Sequence, residues 1–519
     1  MAHQPLLPQI LSLHGRWRAD RPALATPDEC LDWRTLDRRV NQVANGLIAA
    51  GCSRDVRVGV VMSNGAPMIE IMLGAIKAGA AVAPLNTSIP DAGLDAMLAD
   101  ADVDVVFATP EHGRRLFKSW PRPSIRISAP SGTEPMRQEG WTDYPSWRDG
   151  QAAHDPTVSL TREDLCSIIY SSGTTGRPKG IAHSHGARLD WSHDLAHALR
   201  YHDNARTLIS TGLYSNISWA SMLPTLLLGG TLFVRSGFDA ADVLETIARE
   251  RITHMAMVPV QYQRLLDHPA FGGFDRSSMQ AMMCCGAPLP VRTKEALFDA
   301  FACGVIELYG STEGLITTLS PEEARSRMTS VGKPPPGEDI AILGENDQPL
   351  EWGQTGEIVA LSRFAMSGYW RNEDATREAL WLDRQGRRWL RSGDIGRIDE
   401  AGYLHITDRK KDMIISGGQN VYPADIESVL MGHPDVADCA VFGVPSERWG
   451  ETPLALAVLH ESAGTRAEEI RDWANARLGK QQRISAIEVR QFLPRNANGK
   501  LLKRDLRAPY WSGAVDGTS

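Results

Sequence analysis

Cysteine is scarce and unpatterned in this sequence. Its seven copies, at positions 30, 52, 166, 284, 285, 303 and 439, form no CxxC pair and no zinc-ligand spacing. That argues against a disulfide scaffold or a structural zinc site, and an odd, sparse set reads as reduced thiols in a reducing compartment. Positive charge is in deficit: 55 Lys and Arg against 63 Asp and Glu leave a net charge of −8. A general nucleic-acid binder would show a basic footprint instead, although this balance leaves room for a local basic pocket that holds phosphates. Long apolar runs are missing too. The most apolar stretch, residues 217–234, is broken by Pro224 and by Gly229-Gly230, which argues against a membrane span. The first residues, MAHQPLLPQILSLHGRWRADRP, lack a long apolar core and a cleavage signature, so no secretory leader is expected and the expected location is cytoplasmic. Glycines (46) and prolines (31) are spread along the chain, which excludes collagen-like and low-complexity readings.

What remains is an ordinary globular composition, 42% hydrophobic and 23% charged over 519 residues, enough for about three or four folding units. Short β-branched runs alternate with helix-patterned stretches. Residues 56–64 read as a strand ending at a turn, 66–80 as a helix and 81–85 as another strand. The cycle recurs at 102–108, 165–171, 253–259 and 305–308. Strands spaced by helices imply βαβ crossovers and mostly parallel sheets covered on both faces. Ligands of such sheets bind in loops beyond the carboxyl ends of the strands. After residue 320 the texture changes to short, turn-punctuated strands (EDIAILGE, GEIVALS, GYLHITD). Beyond Asp408 a charged turn, DRKKD, precedes a small α+β pattern with a helix at 423–431, strands at 436–444 and 454–459, and a helix at 467–478. The expected fold is therefore α/β. A large N-terminal domain (1–408) of parallel-rich sheets covered by helices includes a β-rich subdomain from about residue 320. A hinge at 409–411 and a small α+β C-terminal domain (412–519) complete the ordinary domain sizes.

Five segments carry chemistry. The first runs Tyr170-Ser171-Ser172-Gly173-Thr174-Thr175-Gly176-Arg177-Pro178-Lys179-Gly180 after a buried strand. Glycines such as Gly176 let backbone N–H groups approach a polyphosphate, the Thr174 and Thr175 hydroxyls add donors, and Lys179 supplies a point charge. It is not the GxxxxGK nucleotide loop, because Lys179 follows a proline and no Ser or Thr comes after it. The plain alternative is a flexible surface loop. The second, Glu307 to Gly314, sets Tyr309 and Gly310 beside the Thr312-Glu313 pair, suiting a base to stack on, a phosphate donor and a magnesium ligand. Taken alone, such pairs are mostly solvated or capping. Third and fourth are Ser392-Gly393-Asp394, read as a tight turn whose Asp can accept two ribose hydroxyls, and Asp408-Arg409-Lys410-Lys411-Asp412 leading into Ser416-Gly417-Gly418. The fifth, Asn498-Gly499-Lys500, places one lysine after a sharp turn near the C-terminus.

Together and in this order, these segments resemble the adenylate-forming superfamily of acyl-CoA synthetases, nonribosomal adenylation domains and luciferases. The resemblance covers essentially the whole chain, and within the superfamily it looks like the acyl-CoA ligase branch. It implies ATP, magnesium and coenzyme A as the small-molecule partners of a carboxylic acid, which is converted first to acyl-AMP and pyrophosphate and then to the thioester. By that resemblance Thr174, Thr175 and Lys179 sit on the ATP phosphates, Tyr309 stacks on adenine, and Thr312 contacts the α-phosphate. Glu313 binds magnesium, Asp394 and Arg409 hold the ribose, and Lys500 bridges the acyl carboxylate and the α-phosphate. The C-terminal domain would turn about Lys411, withdrawing Lys500 and presenting Gly418 to the pantetheine channel. Gly286 and Ala287, in the segment Met282 to Pro288, match the strand–turn that lines the adenine and acyl sites.

The departures bear on the acid. Ser215 stands where relatives often carry a histidine gate to the acyl pocket, so Tyr214 or Trp219 replaces that gate or both are plain core aromatics. No Asp lies in 213–219 for an α-ammonium, which disfavours an amino acid substrate. With no fixed charge evident there, an uncharged tail is expected, aliphatic of short or medium length or aromatic. Cys285 occupies a position where glycine is commoner and narrows the pocket; as a cysteine it reads as small buried filler. His183 and His185 lack a third ligand nearby in sequence, so a metal site is not expected there. Ser392 replaces a usual Thr, and Gln419 a frequent Glu. Two further readings stay open: transfer of the acyl group to a carrier-protein thiol, and an inactive nucleotide-binding regulator on the same fold. A homodimer is the expected assembly only because it is the commonest closed one.

Overall fold

The computed structural model describes residues 4–54, 56–116, 125–129, 140–170, 179–460, 464–495 and 501–511. By compactness the chain divides into two units, residues 1–339 with 361–390, and residues 340–360 with 391–519.

The first unit is built on two eight-stranded sheets. In one, Arg57–Val61 lies between Ala81–Pro84 and Val105–Ala108, all parallel, and Leu165–Tyr170 continues the parallel set beside Ala81–Pro84. Gly180–Ser184 and Gly368–Tyr369 then close that edge antiparallel. The second sheet centres on Arg206–Ile209, flanked by Thr231–Val234 and His254–Met257, and runs on through Ala281–Cys284 to Ile306–Ser311, all parallel. Leu315–Leu319 folds back antiparallel on the last of these. The central strands are buried along their length, for example Val58, Val60 and Val61 at 0% exposure, because helices such as Ala66–Lys77 cover them. That helix is buried all round, as expected of an element between layers rather than on a surface. The core cluster draws on both sheets, from Val60 to Trp219, Cys285 and Phe364.

Residues 217–234 form a helix, Asn216–Leu228, and a strand, Thr231–Val234, inside this core. Among the described residues no helix is long and apolar enough to cross a membrane.

The second unit contains strands Asp339–Leu343, Gly356–Leu361 and the later part of Arg388–Ile398, with Leu404–Arg409 antiparallel to the last. It continues with the helix Pro423–Met431, the long hairpin Val436–Ser446 with Gly450–Leu459, and the helix Ala467–Asn475. Ser392-Gly393-Asp394 is not an isolated turn. It lies within the 11-residue strand Arg388–Ile398, where Gly393 has φ +69° and the ladder slips between Ile395 and Gly396. The glycine supplies a turn-like kink inside a strand.

Candidate active site

In the first unit, strand Ile306–Ser311 and the turn to Leu315–Leu319 set Tyr309, Gly310, Thr312 and Glu313 side by side. Gly310 must be small: a Cβ there would lie 2.3 Å from the Leu315 carbonyl oxygen on the paired strand. Gly314 combines φ +125° with a Cα of Ala365 only 2.6 Å from where a Cβ would sit. Tyr309, Thr312 and Glu313 are half-buried. The backbone N–H of Met366 donates to the Glu313 carbonyl at 2.7 Å, fixing the turn to the segment that carries Tyr369.

Tyr369 links two of the sequence-predicted residues. Its hydroxyl donates to Glu313 Oε1 at 2.9 Å, and Lys179 Nζ stands 4.9 Å from its ring centre, in cation–π range. Burial, followed by the Glu313 charge, pushes the Tyr369 phenol well above its ordinary range, so it stays a donor. Among the described residues nothing engages Glu313 Oε2. A lone carboxylate oxygen beside substrate phosphates and water is a ligand set that suits magnesium. The described residues hold no group of three or more His, Cys, Asp or Glu that could bind a metal by itself. Thr174, Thr175 and Gly176 lie outside the described residues, as does Lys500.

Beneath the turn, His183 Nε2 hydrogen-bonds the Thr312 carbonyl at 2.8 Å and its Nδ1 meets Arg188 Nη2 at 3.2 Å. Since the guanidinium can only donate, His183 carries its proton on Nε2. Burial, then the Arg188 charge, lowers its pKa well below the usual histidine value and keeps it neutral. Both of its nitrogens are thus spent within the chain. Arg188 and Tyr369 carry no motif signal in the sequence, and His183 stands out there only as one of two histidines without a third metal ligand; the contacts that involve all three only appear on folding.

The helix Asn216–Leu228 supplies the opposite wall. Ser215 is its N-cap, with Oγ accepting from the Ile217 N–H at 3.3 Å. Tyr214 is half-buried, its ring so close to Gly212 that a Cβ there would come within 2.3 Å of it. Trp219 is 0% exposed, its indole N–H donated to the Leu213 carbonyl at 2.9 Å. Ile217 approaches Gly286, where φ is +90° and a Cβ would lie 3.1 Å from Ile217 Cδ1. Ala287, next to Gly286, is half-buried. Cys285 is buried and unpaired, its thiol pushed up to about 12 by burial.

In the second unit Asp394 and Arg409 face each other across the ladder and form an ion pair, Nε to Oδ1 at 2.8 Å. Ser392 Oγ accepts from the Asp394 N–H at 2.9 Å and donates to the Ile358 carbonyl at 2.7 Å, so serine does the work of a turn hydroxyl here. Lys410 is drawn to Glu357 at 2.9 Å, and Lys411 follows it. Asp408 caps the helix that starts at Pro423, accepting from the Ala424 N–H at 2.8 Å. Gly418 has φ +76° with nothing within 4 Å of a built Cβ.

The AMP-binding enzyme family matches residues 14–370, and the AMP-binding enzyme C-terminal domain matches residues 425–500. The chain belongs to this family. It is an acid–thiol ligase of the acyl-CoA synthetase branch. A feruloyl-CoA synthase of Amycolatopsis is 34% identical over 490 residues, 92% of this chain and 94% of its own length. A long-chain-fatty-acid–CoA ligase of Mycobacterium tuberculosis is 32% identical over 93% of this chain and 94% of its own. The crystal structure of an anthranilate CoA ligase in complex with anthranoyl-AMP superposes with a TM-score of 0.89 at 27% identity, covering 99% of both chains. The α/β architecture of the ligase agrees with such structures.

Proposed function

We propose that this ligase joins a carboxylic acid to ATP, releasing pyrophosphate and forming acyl-AMP, and then passes the acyl group to the coenzyme A thiol. The acid is short or medium aliphatic, or aromatic. The observation that carries the reading is the group formed by Lys179, Tyr369 and Glu313 beside Thr312. A carboxylate repels the triphosphate it must attack. Lys179 and the Thr312 hydroxyl offset that repulsion, and Tyr369 fixes Glu313 with one oxygen left for magnesium. Magnesium, when bound there with the phosphates, would stabilise charge at the phosphate under attack. Tyr309 offers a face for adenine, Asp394 and Arg409 receive the ribose, and Thr174, Thr175 and Gly176 complete the phosphate loop. Lys500 bridges the acyl carboxylate and the α-phosphate. Losing one such preorganised charge costs about 3–4 kcal/mol of barrier.

For the second step the C-terminal domain turns at Lys411 and brings Gly418, with its open surroundings, to the thiol channel. Tyr214, Ser215, Trp219, Cys285, Gly286, Ala287 and Gly310 bound the acyl and adenine space. The aromatic end of the acid range is supported by the feruloyl and anthranilate names of the relatives. The test is pyrophosphate release from ATP and magnesium over a panel from acetate to dodecanoate with benzoate and cinnamates, with and without coenzyme A. Turnover that needs coenzyme A is the expected result. Adenylate formation indifferent to coenzyme A points to a carrier-protein thiol instead, and silence across the panel removes the reading.

A further inference from the structure

Arg188 is only 3% exposed, and each partner it has is neutral. Its Nε donates to Ser167 Oγ at 3.0 Å, Nη1 to Asn216 Oδ1 at 2.8 Å and Nη2 to His183 Nδ1 at 3.2 Å. The Trp219 and Trp191 rings lie 4.7 and 5.2 Å from the guanidinium carbon. Among the described residues no carboxylate pairs with it. Other arginines of the unit are treated differently: half-buried Arg39 and Arg148 share Glu70, and buried Arg235 has Asp242. Burial lowers the Arg188 pKa to about 10, which still leaves it charged at neutral pH.

Burying a charge with no counterion is expensive, and a guanidinium that served only to tie segments together would be cheaper as a neutral group. Three of its five N–H donors are spent, so each terminal nitrogen keeps one. The guanidinium borders a cavity of about 10 Å³ shared with Asn216, Thr312, Gly314 and Phe364. That is room for one small polar group, the end of a ligand rather than a whole acid.

We propose that the acid taken by this ligase carries a second carboxylate, and that Arg188 and Asn216 receive it. The inference rests on the ligase reading above and narrows its substrate. It replaces the uncharged tail expected from residues 213–219, because the charge arrives from a different helix, His185–Ala198. Only the His183 imidazole stands between the guanidinium and the Thr312 carbonyl. The two carboxylates are therefore a short chain or one ring apart. An arginine fork matches a carboxylate geometrically, and the Asn216 amide adds a donor that a neutral tail would leave unused.

The experiment compares butanedioate with butanoate, and benzene-1,2-dicarboxylate with benzoate, by acid-dependent pyrophosphate release in the full chain. In the wild type at least one diacid is expected to exceed its monoacid by 10-fold or more in kcat/KM. In Arg188→Met that ratio should fall by 10- to 100-fold, and Arg188→Lys should keep part of it. Circular dichroism checks that the variants fold; if they do not, the wild-type ratio decides alone. A wild type that turns over monoacids and ignores both diacids overturns the proposal and leaves the ligase reading intact. Equal loss on both acids in Arg188→Met also overturns it, since the guanidinium then serves the reacting carboxylate. No pyrophosphate with any of the four acids, nor with the wider panel, removes the ligase reading itself.

Discussion

Tyr369 does two jobs with one side chain, its ring toward Lys179 and its hydroxyl on Glu313. Tyr369→Phe keeps the first and removes the second. A hydrogen bond to a charged group contributes about 1.5–3 kcal/mol, so kcat/KM should drop by about one to two decades. The magnesium concentration needed for half-maximal rate should rise with it; an unchanged magnesium dependence would mean that Tyr369 does not hold Glu313 for the metal. Gly418→Ala separates the half-reactions. Its cost is backbone strain of about 1–2 kcal/mol at a positive φ, since no neighbour obstructs the added methyl. Thioester formation should slow while pyrophosphate release in a single turnover stays near wild type. At this scale Tyr309, Thr312 and Glu313 were legible because neighbours in sequence carry the motif. His183 and Tyr369 were not, because they act on residues 129 and 56 positions away. No local pattern encodes such a contact.

Helix ends and strand kinks decide what the elements present. Ser215 stands where relatives often carry a histidine gate, and it is also the cap of Asn216–Leu228. Ser215→Ala should cost about 1 kcal/mol of stability, read as a lowered denaturant midpoint at unchanged m-value. In the second unit Lys503 meets Glu427 at 2.7 Å. Burial opposes its charge, but Glu427 and Asp408 outweigh that and raise its pKa. Lys503→Met strands two carboxylates and should destabilise the unit by about 3–5 kcal/mol. Adding Glu427→Gln should recover part of that loss in a urea titration. Alternating strands and helices were readable from their periods, and Pro423–Met431 matches the sequence pattern residue for residue. The strand Arg388–Ile398 was not, because Ser-Gly-Asp at its centre reads as a turn and only its pairing with neighbouring strands, Leu380–Leu382 and Leu404–Arg409 among them, makes it a strand.

Across the whole molecule, buried charge makes stability depend on pH. Burial, reinforced by Asp194, lifts the Glu338 carboxyl to about 7 despite Arg363. A carboxyl raised in the folded state stabilises while protonated. Its contribution is complete below the unfolded value near 4.5 and fades as pH climbs through 7. The effect is at most about 3 kcal/mol. Glu338→Gln should flatten the fall of the thermal midpoint between pH 5 and 8. A profile that keeps its wild-type slope in the variant places the titration elsewhere. The layered α/β plan could be inferred from alternation alone, whereas the burial of charge at Arg188 and Glu338 depends on which layers face each other.

The cysteines carry one more consequence. Six of the seven are buried or half-buried, and only Cys30 is exposed. Burial lifts Cys52 and Cys303 to about 11 and Cys166 to about 12, far from the thiolate that reacts with disulfide dyes. A ligase consuming a thiol substrate thus contributes almost none of its own sulfur to the solution. Titration of the native chain with an aromatic disulfide should release one equivalent of chromophore quickly, and seven after denaturation. Consumption of coenzyme A can then be followed continuously by its free thiol, against a small background fixed by a single surface position.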